Sequence, residues 1–186
     1  MLSIVNLLFR ILIFASATIL TKNPMKEHRY NVALEWTGNL GYGTDSYDTY
    51  SREHVIISEG KDDLLGSSDT SFRGDSRYYN PEELLLSSIA SCHMLWYLHL
   101  CSANGIVVNS YNDQPEGTMI EHKDGSGAFD QVILNPKVVI ADGSKNSLAK
   151  TLHGVAHKMC FIANSCNFEI LHKPTIIVHA ESKQSN

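Results

Sequence analysis

The chain has 186 residues, 43% hydrophobic and 19% charged, which suits one globular domain with a core large enough to need no staples. With 20 acidic against 15 basic residues, a net charge of −5 and no Lys/Arg cluster, it lacks the electrostatic footprint of a nucleic-acid-binding surface. The four cysteines (Cys92, Cys101, Cys160, Cys166) sit on apolar or helical segments of the second half, unlike a secreted disulfide framework, so reduced thiols in a cytoplasmic protein are expected, with room for one redox-active pair.

Residues 1–20 are apolar around a central Arg10. Ala15-Ser16-Ala17 resembles a signal cleavage site, but the charge stands inside the apolar run and shortens any membrane span. Residues 1–24 therefore read as an extension, either a signal or anchor or sequence upstream of a start at Met25. Residues 25–182 read as a single domain.

Residues 30–36 alternate apolar and polar and predict a strand. Gly38, Gly41 and Gly43 break it into a turn. Residues 44–50, rich in Tyr and Thr, predict a second strand, and residues 54–57 a third. Residues 64–79 read as a loop, long for a compact domain and so a candidate for function. It runs into the strongest element of the chain. Asn80 can cap a helix, Pro81 suits its first position, and Glu82 and Glu83 complement the positive end of the dipole. From there to Cys101 no Gly, Pro, Lys or Arg occurs and apolar residues cover nearly every face. That predicts a central helix about 30 Å long, buried on all sides.

Gly105 terminates this helix. Strands are predicted over residues 106–111, 118–122 and 129–140, the last with Asn135-Pro136 as a break. A second helix, capped by Asn146 or Ser147, carries Leu148, Leu152, Val155 and Met159 at helical spacing. Residues 167–173 and 175–179 complete the sheet. These elements describe an α+β fold, mostly antiparallel strands around two central helices.

Cys92 and Cys160 lie on the two helices. Cysteine is among the most buried residue types, so two packed core thiols is one reading. The other is a pair pointing into one helix–helix seam, where axes about 8–10 Å apart let Cα atoms approach the roughly 4.4–6.8 Å of a disulfide. A mid-helix thiol of pKa about 8.5 is mostly protonated at neutral pH, and lowering it by about 3 takes roughly 4 kcal/mol. A guanidinium can supply that. Arg73 and Arg77 precede the helix and Arg52 lies near the strands. Glu82 stands about 15 Å from Cys92 along a straight helix, so the two cannot share a site within one copy of it. His153, His157 and Cys160 fall on one helical face and could ligate zinc, with His93 or His99 completing the set. A Cys92–His157 hydrolase pair lacks any visible oxyanion element. Cys101 and Cys166 read as structural.

Asn80-Pro81-Glu82-Glu83-Leu84-Leu85, then Ala90-Ser91-Cys92-His93-Met94, with Ala156-His157-Lys158-Met159-Cys160-Phe161-Ile162-Ala163-Asn164-Ser165 downstream, resemble the OsmC/Ohr family of osmotically inducible and organic-hydroperoxide-resistance proteins. Trp36-Thr37-Gly38-Asn39-Leu40-Gly41 and Phe72-Arg73-Gly74-Asp75 are similar to its OsmC-like branch. The resemblance covers about residues 25–180. It implies an intertwined homodimer acting as a thiol-dependent peroxidase on organic hydroperoxides, with no metal or organic cofactor. In that reading Cys92 attacks the hydroperoxide, Cys160 resolves the sulfenic acid as a disulfide, and an external dithiol, lipoyl-type among the candidates, reduces it. Glu82 matches the motif carboxylate that holds the catalytic arginine. Arg73 is assigned to that arginine, with Arg52 the alternative. A site built from two subunits would resolve the 15 Å separation. A non-catalytic redox sensor, a small apolar-ligand binder of the same fold, and the zinc protein remain as rivals.

Overall fold

The computed structural model of the chain describes residues 26–178; the extension over residues 1–24 and the expected strand end at His179 lie outside the described residues. Residues 26–31 are exposed and have no regular secondary structure. A compact unit begins at Val32.

Nine short strands and two helices make up this unit among the described residues. Strands β1 (Ala33–Trp36), β2 (His54–Ile57) and β3 (Leu64–Gly66) form an antiparallel three-stranded sheet. The expected strand over residues 44–50 is absent. Gly41 and Gly43 take positive φ, Asn39 Oδ1 accepts from both their amides, and Ser46 and Thr49 bond each other, so the segment closes on itself as turns. The loop expected over residues 64–79 contains β3 and a 3₁₀ turn, Thr70–Phe72, capped by Asp69.

Helix α1 (Pro81–Ala103) starts on a reciprocal capping box: Asn80 Oδ1 accepts from the Glu83 amide at 2.8 Å, and the Glu83 carboxylate accepts from the Asn80 amide at 3.2 Å. Gly105, at φ 64°, ends it. Helix α2 (Asn146–Met159) is the second helix.

Between and after the helices, β4 (Val108–Asn112), β5 (Glu116–Glu121), β6 (Gly127–Leu134), β7 (Lys137–Ile140), β8 (Glu169–His172) and β9 (Thr175–Val178) divide into two sheets, ordered β4-β7-β9 and β5-β6-β8. The single strand expected over residues 129–140 is thus two strands in different sheets, switching at Asn135-Pro136. A proline has no N–H for the ladder, so the strand must stop there. The chain makes the same switch at Pro174, where β8 gives way to β9. The two switching segments run side by side, and β6/β8 and β7/β9 pair in parallel rather than antiparallel. Lys173 N–H bonds Leu134 O and Thr175 N–H bonds Pro136 O, both at 2.8 Å, tying the corners together.

Helix α1 spans both sheets. Near its N-terminal half Ile89 packs with Val132, Leu134 and Ile170; farther along, Tyr97 and Cys101 pack with Val138, Ile140, Ala149, Leu152 and Ala156. Its fully buried residues are Ile89, His93, Tyr97 and Cys101, a stripe repeating every four residues. The expectation of a helix buried on all sides is therefore not met by one chain. Leu95 is 62% exposed, because α2 and the sheets cover only the opposite stripe.

Replacing Asn80 with Ala should remove one half of the capping box and cost about 1 kcal/mol. Urea unfolding should show a lower midpoint at unchanged slope; an unchanged midpoint would mean the cap contributes nothing.

Candidate functional site

Helices α1 and α2 pack antiparallel. Cys101 of α1 packs in one cluster with Ala149 of α2, Tyr97 stacks on His153, and Trp96 meets Phe161, just past the end of α2. At that last level the two candidate thiols meet. Cys92 is half-buried on α1, Cys160 fully buried at the C-cap of α2, and both are free. Cys160 takes extended backbone (ψ 108°), which ends α2 and turns the chain, and its Sγ accepts from the Ala163 amide at 3.4 Å. Burial first, and the Cys92 thiol beside it second, push the Cys160 thiol up to about 11. It is a protonated partner, suited to attack only once an electrophilic sulfur is presented to it.

An aromatic wall flanks the pair. Trp96 lies one turn beyond Cys92, Phe161 follows Cys160, and their rings meet edge-to-face at 5.8 Å. Leu95, Trp96 and His99 line an open apolar cavity of about 300 Å³.

The three candidate arginines separate by what already holds them. Arg77 is bound to Asp75 through Nε and Nη2, and this pairing pulls Asp75 down to about 2. Arg52 donates to the carbonyls of Tyr50 (2.5 Å) and Tyr47 (2.7 Å), with its guanidinium 4.2 Å from the centroid of each tyrosine ring. It staples the turn over residues 47–52. Arg73 is exposed and sits at φ 65° after the 3₁₀ turn, the only non-glycine residue with positive φ among the described residues. Its guanidinium stands 5.9 Å from the Tyr47 ring and has no hydrogen bond or ion pair among the described residues. Arg52, Arg73, Ser67 and Asp75 line one polar cavity of about 300 Å³.

Glu82 lies in the first turn of α1. Its Oε2 is buried with no hydrogen-bond partner among the described residues. A buried carboxylate oxygen left unpaired is costly, and no arginine among the described residues pairs with it.

The zinc alternative is not supported by the geometry. Among the described residues no three His, Cys, Asp or Glu side chains converge as a metal site, because His153 turns inward to His93 while Cys160 turns to Cys92. Cys101 is buried beside Tyr97, and Cys166 bonds Ile162 O at 3.3 Å. The sequence pairs His93 with His153 only as zinc ligands; the structure instead stacks these rings on each other and adds His172 of β8, which lies outside the helical pattern.

Fold and site together define a two-helix α+β protein with a dithiol at the end of its central seam. Residues 74–173 match the model of the OsmC-like protein family, and the chain belongs to that family. It is similar to the uncharacterized protein YmaD of Bacillus subtilis (strain 168), 25% identical over 142 residues that span 76% of this chain and 83% of the relative. Among solved structures it is similar to an OsmC-like protein of unknown function from Vibrio cholerae, at 27% identity and TM-score 0.72, covering 80% of this chain and 100% of that one. An organic hydroperoxide resistance protein from Elizabethkingia anophelis shares the fold at 16% identity and TM-score 0.57, covering 83% and 100%.

With its thiol held near 11, Cys160 is about one part in a thousand thiolate at pH 8. Iodoacetamide should label it slowly in the native protein and roughly tenfold faster per pH unit up to about pH 10, as mass spectrometry of the Cys160 peptide can follow. Fast, pH-independent labelling would contradict this environment.

Proposed function

We propose that the protein is a dimeric cysteine peroxidase for organic hydroperoxides. The observation that carries the reading is the meeting of Cys92 with a buried, protonated Cys160 beside the Trp96–Phe161 wall. The Cys92 thiolate attacks the distal oxygen of R–O–O–H. An S–O bond forms, the O–O bond breaks, and the alkoxide leaves and takes a proton as the alcohol. Cys92, now a sulfenic acid, is attacked by the Cys160 sulfur; the S–S bond forms and water leaves. An external dithiol returns the disulfide to two thiols. The apolar wall favours a carbon-bearing substrate over hydrogen peroxide. Such a cycle suits a reducing compartment, the cytoplasm.

The thiolate needs a cation, and in this reading it is Arg73, whose guanidinium has no hydrogen bond or ion pair among the described residues. The unpaired Glu82 Oε2 and the exposed face of α1 support a site completed by a second copy, in which Glu82 of one subunit orients the arginine that serves the other's Cys92. Two solved structures of this fold, distant in sequence, are organic hydroperoxide resistance proteins, in line with this chemistry.

Stopped-flow consumption of cumene hydroperoxide should exceed that of hydrogen peroxide and disappear in Cys92→Ser; equal consumption by wild type and Cys92→Ser would end the peroxidase reading. Cys160→Ser should complete one turnover and accumulate a sulfenic acid trapped by dimedone. Arg73→Met should slow the first step by about 100-fold, the scale of roughly 3 kcal/mol of lost thiolate stabilisation, whereas Arg52→Met should act mainly on stability. Loss of the first step in Arg52→Met alone would reverse the assignment.

A further inference from the structure

Behind the dithiol, the α1–α2 seam holds a group of side chains that the proposed reaction does not use. His93 is 1% and His153 0% exposed; their Nε2 and Nδ1 atoms are 3.0 Å apart and their rings stack at 5.3 Å. His172 of β8 lies 5.7 Å from the His93 ring and 6.4 Å from the His153 ring. His157 of α2 stacks on His172 at 5.6 Å. From α1, Tyr97 lies against His153 at 3.8 Å, with Cys101 beside it; from β4, Tyr111 stands 6.5 Å away and faces Asp113 just past the strand.

Two neutral imidazoles carry two N–H protons between them. The shared bond uses one, so the second stays on an outward nitrogen, His93 Nδ1 or His153 Nε2. Both are buried and without a partner among the described residues. The pair is therefore strained for hydrogen bonds even when neutral. A further proton would create a cation that no ion pair among the described residues compensates.

We propose that this histidine group is a proton-operated latch on the dithiol: mild acid opens the seam and draws Cys160 away from Cys92. The proposal rests on reading those cysteines as a working pair. Its mechanical basis is placement. His93 adjoins Cys92 in α1, and His153 and His157 occupy the last turns of the helix that ends at Cys160. The thiols and the imidazoles are neighbouring levels of one seam, so separating the rings moves the helix end that holds Cys160.

The direction follows from the packed rings. Burial first, and neighbouring imidazoles after it, hold His93 at about 4 and His153 at about 3, and His172 is lowered likewise. Released imidazoles take protons from about pH 6.5 downward. The closed seam is thus fully favoured above about pH 6.5 and loses that advantage as pH falls toward the packed values. Between pH 6.5 and 5.5 each such ring multiplies the opening constant about fivefold, and His93, His153 and His172 together about 100-fold.

Hydrogen-exchange mass spectrometry of the full chain at pH 5.5 and 6.5, corrected for intrinsic exchange, reads this constant from peptides of α1 and α2. Wild type should open about 100-fold more readily at the lower pH. In His93→Gln/His153→Asn, whose amides reach the same bonding positions but take no proton, the rise should shrink to about fivefold or less, the share left to His172. Diamide-driven formation of the Cys92–Cys160 disulfide should fall with acid more steeply than thiolate fraction alone in wild type, and in step with it in the variant. Equal pH slopes in both proteins, or a wild-type slope below tenfold, would overturn the latch. If the double variant does not fold, the wild-type slope decides, with His172→Gln expected to lower it about fivefold. Exchange and diamide need no peroxide, so loss of peroxidase activity at pH 7.5 would sink the proposed function and leave the latch standing.

Discussion

The antiparallel seam between α1 and α2 is the contact on which the rest of the molecule depends. Hydrophobic packing closes it at one end, where Cys101 joins Ala149 and Leu152 in the core. Stacked imidazoles and Tyr97 fill its middle, and Cys92 and Cys160 meet at the other end. Each level is sealed by the one before it. The low dielectric that raises the Cys160 thiol and depresses the buried histidines is one property of this seam, acting on an acid and on bases in opposite directions.

The sheets exist to hold that seam in place. Because β6 and β8 each give way to a strand of the other sheet at a proline corner, one pair of parallel chain segments backs both halves of α1. What a single chain leaves open is equally informative. The outer face of α1 carries Leu95 in solvent, Glu82 Oε2 has no donor, and Arg73 has no acceptor among the described residues. An unpaired carboxylate, an arginine without an ion pair and an uncovered apolar helix face are complementary deficits, and the proposed second copy would satisfy all three.

Local chemistry explains what the sequence made legible. The start of α1 was readable because capping is decided within four residues, Asn80 through Glu83. Its termination at Gly105 was readable for the same reason. The absent strand over residues 44–50 shows the limit of β-propensity: aromatic and Thr content suggested a strand, but glycine at positive φ and Asn39's amide bonds folded the segment back. Asn135-Pro136 was visible as a break, yet nothing local says that a break sends the strand into another sheet. The imidazole group was invisible for a stronger reason. Its rings come from α1, α2 and β8, and only tertiary packing brings them together. The meeting of Cys92 with Cys160 is non-local too; the resemblance to a family pointed to it where spacing left packing and chemistry undecided.

The central claim is that Cys92 and Cys160 form one working redox pair, and peptide mapping of the protein after one equivalent of cumene hydroperoxide tests it most directly. The account predicts loss of two hydrogens per chain and a single Cys92–Cys160 cross-linked peptide, with Cys101 and Cys166 still alkylatable after unfolding. A disulfide through Cys101 or Cys166 instead, or four free thiols with the hydroperoxide intact, would contradict it.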